Sequence, residues 1–92
     1  MQSIYDKIKE EIDCGRIQEA IEMIDGALAA ESGAEAALHY LRGNAFMKRG
    51  DWKEAMACYL QAEQLDPESP AREAKQMLTD ILNFYNKDLY NP

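Results

Sequence analysis

Apolar positions recur at intervals of three and four along almost the whole chain, and no stretch holds the alternation of a half-buried strand, so the pattern predicts an all-α fold. Ser3 as N-cap with Asp6 three residues on, followed by Ile4, Ile8 and Ile12, marks a first helix that stops at Gly15. A second carries Ile17, Ala20, Ile21, Ile24, Ala27 and Leu28 on one face. Ser32 to Glu35 has the S-x-x-E form of a capping box, which predicts a third helix that buries Leu38, Leu41 and Ala45 and ends at Gly50. Asp51 with Glu54 repeats the box and opens a fourth, with Trp52, Ala55, Met56, Tyr59 and Ala62 as its buried stripe. Asp66-Pro67 closes it, because the residue before a proline is pushed out of the α region. Ser69-Pro70 starts a fifth, with proline at the first helical position, where no N–H is missed. Its stripe is Ala74, Met77, Leu78, Ile81, Leu82 and Tyr85, and it is expected to fray near Asn86.

The punctuation repeats. Gly15-Arg16-Ile17-Gln18-Glu19-Ala20 with Ala27 returns 35 residues later as Gly50-Asp51-Trp52-Lys53-Glu54-Ala55 with Ala62. A fixed period of that size is the mark of a helical hairpin that buries its apolar face by stacking on a copy of itself. A fifth helix with no partner after it is what such a stack needs to cover its last open face.

The second unit resembles a tetratricopeptide repeat, whose signature is W-x2-L-G-x2-Y, then A-x3-F, then P. Here it reads His39-x2-Arg42-Gly43-x2-Phe46, then Ala55-x3-Tyr59, then Ala62 and Pro67. In the first unit, Ala20, Ile24 and Ala27 match the latter half, but Ile8 stands where the glycine belongs and Ser32-Gly33 replaces the proline. Ile8 is bulky, so the first hairpin is expected to splay wider than the second. The resemblance implies a five-helix right-handed superhelical array in a single domain over residues 1–92. Its parts are a divergent first repeat (1–35), a second repeat (36–69), a capping helix (70–86) and a tail (87–92).

The family's usual role is to bind peptides or protein surfaces in a concave groove lined by the first helix of each repeat. Carried onto this chain, the resemblance places Tyr5, Lys9 and Ile12 in that lining from the first helix. Tyr40, Leu41, Asn44, Met47 and Lys48 follow from the third helix, and Ala74, Leu78 and Lys75 from the fifth. Tyrosine, methionine and amide side chains suit an extended segment held by stacking, soft packing and a few hydrogen bonds. The family subclass that grips carboxylate tails uses lysines and asparagines from three successive repeats. Only Asn44 matches it, with Tyr40 and Leu41 at the other positions, so chaperone-tail binding is not expected.

Charge narrows the partners further. Seventeen acidic and ten basic residues give a net charge of −7, which repels phosphate backbones and anionic lipids, so no nucleic acid or membrane partner is expected. The imbalance is concentrated in residues 1–35, with nine acids and three bases. Glu10, Glu11, Asp13, Glu19, Glu22 and Asp25 read as a solvated face that, if used, steers a basic partner. No apolar leader follows Met1 and no run of about 18 apolar residues suggests a membrane span, which points to a cytoplasmic protein.

Nothing in the residues assembles a catalyst. His39, the only histidine, stands at the signature tryptophan position and reads as a packed, hydrogen-bonded residue. Cys14 and Cys58 have no CxxC spacing and read as reduced thiols. No nucleophile and base share a local pattern, so neither enzyme activity nor a metal or other cofactor is expected. The sequence therefore points to a non-catalytic protein-interaction module for a protein or peptide partner, either monomeric or a weak homo-oligomer. The alternative is structural self-association through the groove or through the aromatic carboxy-terminal helix and tail, with Phe84, Tyr85, Leu89 and Tyr90.

Overall fold

The computed structural model describes residues 3–30 and 33–90, with side chains as far as Phe84. Among these residues it holds five α-helices and no strand: α1 (Ile4–Asp13), α2 (Ile17–Ala29), α3 (Glu35–Arg49), α4 (Trp52–Leu65) and α5 (Ala71–Tyr90). Each helix packs on the next, and α1 also packs on α3, so the array grows sideways into a body of 53 × 28 × 20 Å.

The two glycines that mark the 35-residue repeat make the same turn. Gly15 and Gly50 both adopt φ 85°, in the left-handed region that glycine enters without steric cost. At the first, Gly15 N–H donates to the Ile12 carbonyl at 3.0 Å and Arg16 N–H to that of Glu11 at 2.9 Å. At the second, Gly50 N–H donates to Met47 at 3.1 Å and Asp51 N–H to Phe46 at 2.9 Å. This paired closure satisfies carbonyls that the helix end leaves open and reverses the chain sharply. At the end of α4, Asp66 is extended (φ −148°, ψ 101°), as the following Pro67 requires.

Side-chain capping divides. Ser3 Oγ accepts from Asp6 N–H at 3.2 Å, and buried Ser69 Oγ accepts from Ala71 N–H at 3.1 Å. The capping box predicted at Asp51 does not form. Asp51 makes no capping bond; its carboxylate accepts from Arg49 Nε at 2.8 Å instead. α3 starts at Glu35 behind Ala34, without a side-chain cap, and Ser32 lies outside the described residues. α5 continues past the expected fray at Asn86, so residues 87–90, read as tail, are helical. Lys87, Asp88 and Leu89 contain no glycine or proline to stop it.

The core runs through the array. Ile8, Ile24, Leu38 and Leu78 are fully buried, each stabilising the fold by about 1.5–3 kcal/mol, and Ala20, Ala45, Ala55 and Ala62 let the helices approach closely. Gly43 permits a close approach of α3 and α4: a Cβ there would lie 2.4 Å from Cε1 and 2.6 Å from Cδ1 of Tyr59. α3 and α4 accordingly pack far more extensively than α1 and α2, where fully buried Ile8 replaces the glycine and α1 is shorter.

The predicted stripe of α5 is only partly covered. Leu78 is fully buried and Ala74 and Leu82 pack on the core, but Met77 is 55% exposed and Ile81 is half-buried. The stripe is wider than the single helix, α4, that covers it.

Candidate functional site

α1 and α3 lie side by side and leave a concavity of about 370 Å³ between them. Lys9, Ile12 and Asp13 line it from α1, and Tyr40, Leu41 and Asn44 from α3. These positions follow helical spacing, so each helix presents one face. Ile12 and Leu41, 6% and 3% exposed, make an apolar floor, while Lys9 and Asp13 stand exposed on the rim.

Tyr40 and Asn44 are half-buried between floor and rim, and both are backed by Tyr59 of α4. The two tyrosine rings stand 6.0 Å apart at 40°, a tilted aromatic pair. The Tyr59 hydroxyl donates to Asn44 Oδ1 at 2.6 Å. Tyr59 reaches it across the bare backbone of Gly43, against which its ring lies. Burial first, then neighbouring Tyr40 and Cys58, raises the Tyr59 pKa well above the ordinary tyrosine value, so the phenol stays protonated and remains a donor.

Of the eight residues expected to line a groove from the first and third helices, five meet here: Lys9, Ile12, Tyr40, Leu41 and Asn44. Tyr5 and Met47 are half-buried and pack against the core, and exposed Lys48 lies outside the concavity. The fifth helix contributes none of its expected residues. Leu78 is fully buried, Ala74 packs on the core, and Lys75 pairs with Glu63 of α4 at 2.8 Å. Sequence reasoning missed Asp13 on the rim and the role of Tyr59. Asp13 stands four residues after Lys9, on the same face, and was legible. Tyr59 carried a signal too: it places a hydroxyl where the repeat signature has phenylalanine.

Arg42 of α3 ties three helices together. Its Nε donates to Asp25 of α2 at 3.1 Å, one terminal nitrogen lies 3.2 Å from Cys58 Sγ of α4, and the guanidinium stacks 5.0 Å from the Phe46 ring. Arg49 stacks on the same ring at 5.3 Å. His39 is half-buried but makes no hydrogen bond among the described residues, which corrects the expectation of a bonded histidine. Burial and then the charge of Arg42 lower its pKa, favouring the neutral ring. Cys14 is exposed and Cys58 buried, both free thiols; desolvation raises the pKa of Cys58 and keeps it unreactive. Among the described residues no group of three or more His, Cys, Asp or Glu is placed to hold a metal ion. No helix there is long and apolar enough to cross a membrane.

A second depression, of about 520 Å³, lies between α4 and α5 and is lined by Trp52, Met77, Asp80, Ile81 and Phe84. It is mostly apolar, and Phe84 at its edge is 70% exposed.

Comparison with known proteins adds a sequence match and a structural one. The family model described as tetratricopeptide repeat matches residues 36–69, which take in α3 and α4. The solution NMR structure of the Bacteroides fragilis protein BF1650 is similar at 44% identity, with a TM-score of 0.88. The match covers 99% of this chain and 91% of that one. No curated protein matches.

Proposed function

We propose, from the premise that this chain belongs to the tetratricopeptide repeat family of protein-interaction modules, that it is a non-catalytic module holding an extended peptide segment between α1 and α3. The observation that carries this reading is the concavity itself, to which the first helix of each hairpin gives three side chains. Its apolar floor accepts a side chain of the segment, and its rim offers an ammonium, a carboxamide, a phenol and a carboxylate for the backbone and flanking groups. Residues 1–35 serve as an atypical amino-terminal repeat, 36–69 as the well-formed repeat, and the last helix closes the stack. The module acts in the cytoplasm without a cofactor. Its net charge of −7 disfavours nucleic acid and anionic membranes as partners.

A peptide-display selection against the folded chain tests the reading. Selected peptides are expected to lose at least about tenfold in affinity, about 1.4 kcal/mol, on Lys9→Ala with Asn44→Ala, and to keep it on Lys48→Ala. Lys9 is exposed, and Asn44→Ala takes the acceptor from the Tyr59 hydroxyl, so circular dichroism must report retained helical content in the double variant before its affinity is compared. Equal binding by all variants would place the partner elsewhere.

A second reading, self-association, is favoured by the apolar depression on α5, where Met77 and Phe84 stay exposed. In it, α5 packs against α5 of a second copy about a two-fold axis. Tyr85, Leu89 and Tyr90, also named for this contact, have side chains outside the described set. Mass in solution decides: a concentrated sample should be dimeric and become monomeric on Phe84→Asp, whereas a monomer at every concentration removes this reading.

A further inference from the structure

We infer that the Tyr59 hydroxyl is a positioning group that holds the Asn44 carboxamide with its N–H donors toward the groove, so that the groove selects a hydrogen-bond acceptor over a donor. The inference rests on the groove reading and gives it a chemistry: the group taken at Asn44 is a carbonyl of the bound segment.

An asparagine side chain is an acceptor at one end and a double donor at the other, and on a free surface it offers either by turning. Here the acceptor end is occupied. Tyr59 OH lies 2.6 Å from Asn44 Oδ1, within the range of an O–H···O bond and shorter than the usual N–H···O bond. The reverse arrangement, with the amide donating to the phenol, would leave the proton of a tyrosine only 2% exposed without an acceptor.

The ring is seated too. It lies against Gly43, where even a methyl group has no room, and its centroid stands 6.0 Å from that of the Tyr40 ring. The orientation of Asn44 is therefore imposed from α4, fifteen residues further along the chain. Lys9, which shares the concavity, is also a donor without acceptor capacity, so the two groups ask for the same kind of ligand atom. Asp13 supplies the acceptor on the rim.

The test begins with the free protein. In nitrogen-resolved NMR, the Asn44 side-chain amide of the wild type should give a dispersed pair of signals that exchange slowly. Tyr59→Phe keeps the ring and removes only the hydroxyl, and should move that pair toward free-amide positions and speed its exchange severalfold; circular dichroism reports that the fold is retained. Unchanged Asn44 signals in Tyr59→Phe overturn the positioning role, whatever the groove binds.

The second step titrates two small probes and reads the Asn44 amide: N,N-dimethylacetamide, an acceptor without a donor, and methylammonium, a donor without an acceptor. The wild type should respond saturably to the first and several times less to the second, and Tyr59→Phe should lose the preference. Equal responses in the wild type, or none to dimethylacetamide, overturn the selectivity. Failure of the display selection with these NMR results intact overturns only the groove reading.

Discussion

Replacing Gly43 by alanine adds one methyl group where the structure has no space for it. The new carbon would sit 2.4 Å from Cε1, 2.6 Å from Cδ1 and 3.0 Å from Cζ of Tyr59. The obstacle is the flat face of a ring, not the end of a flexible chain. Tyr59 is 2% exposed and bonded to Asn44, so it gives way only if α3 and α4 separate or the bond breaks. Overpacking of this kind costs about 1–3 kcal/mol, and loss of the hydrogen bond adds about 1 kcal/mol. Against this, alanine in a helix interior returns about 0.8–1 kcal/mol relative to glycine. The net loss is about 1–3 kcal/mol, which for a domain of this size lowers Tm by about 5–20 °C.

Gly26 is the matched control. It lies in α2, is exposed, and an added Cβ meets nothing within 4 Å. Gly26→Ala receives the helix-propensity gain alone and should stabilise by about 0.5–1 kcal/mol. Thermal and urea unfolding followed by circular dichroism, with both variants measured beside the wild type, reads the comparison. The expected result is a change of opposite sign for the same chemical substitution. A Gly43→Ala variant that gains stability as Gly26→Ala does would refute the close approach of α3 and α4.

Two further outcomes follow from the helix ends and the thiols. Ser69→Ala removes a buried cap of α5 and should cost about 1 kcal/mol in urea unfolding. Asp51→Ala loses only an exposed pair with Arg49 and should cost less than about 0.5 kcal/mol; the reverse order would contradict the cap assignment. In thiol labelling of the folded chain, one equivalent should react quickly and disappear in Cys14→Ser, with the second reacting only on unfolding. Rapid labelling of Cys58 in the native state would contradict its burial.

Helix ends set by backbone conformation were legible in the chain, and those assigned to side-chain caps were legible only in part. Gly15, Gly50 and Pro67 each impose a local requirement that no neighbour alters: positive φ at the glycines and an extended residue before the proline. A capping carboxylate, by contrast, chooses among partners. Asp51 has the right spacing to Glu54 but stands two residues from Arg49, whose guanidinium takes it. Ser3 and Ser69 have no comparable competitor and cap as their positions predict. The breadth of the α5 stripe was legible as well, but its burial was not. Periodicity reports which face is apolar and not how much of it a neighbour covers, so Leu78 and Met77, adjacent in one stripe, end at 0% and 55% exposure.

The same division runs through the candidate site. Its floor could be read from spacing, because Ile12 and Leu41 face inward for the reason every core residue of an amphipathic helix does. Its polar character could not, because that depends on a contact between helices. Asn44 alone is a group of either polarity; with Tyr59 behind it, it becomes a donor. That contact needs three residues at once: a glycine at 43 to let the ring pass, a tyrosine and not a phenylalanine at 59, and an asparagine at 44 to accept the hydrogen bond. The repeat signature accounts for the glycine and for an aromatic ring but is silent on the hydroxyl. The chemistry of this groove therefore enters where the chain departs from its own repeat pattern, by one oxygen atom on the helix that does not line it.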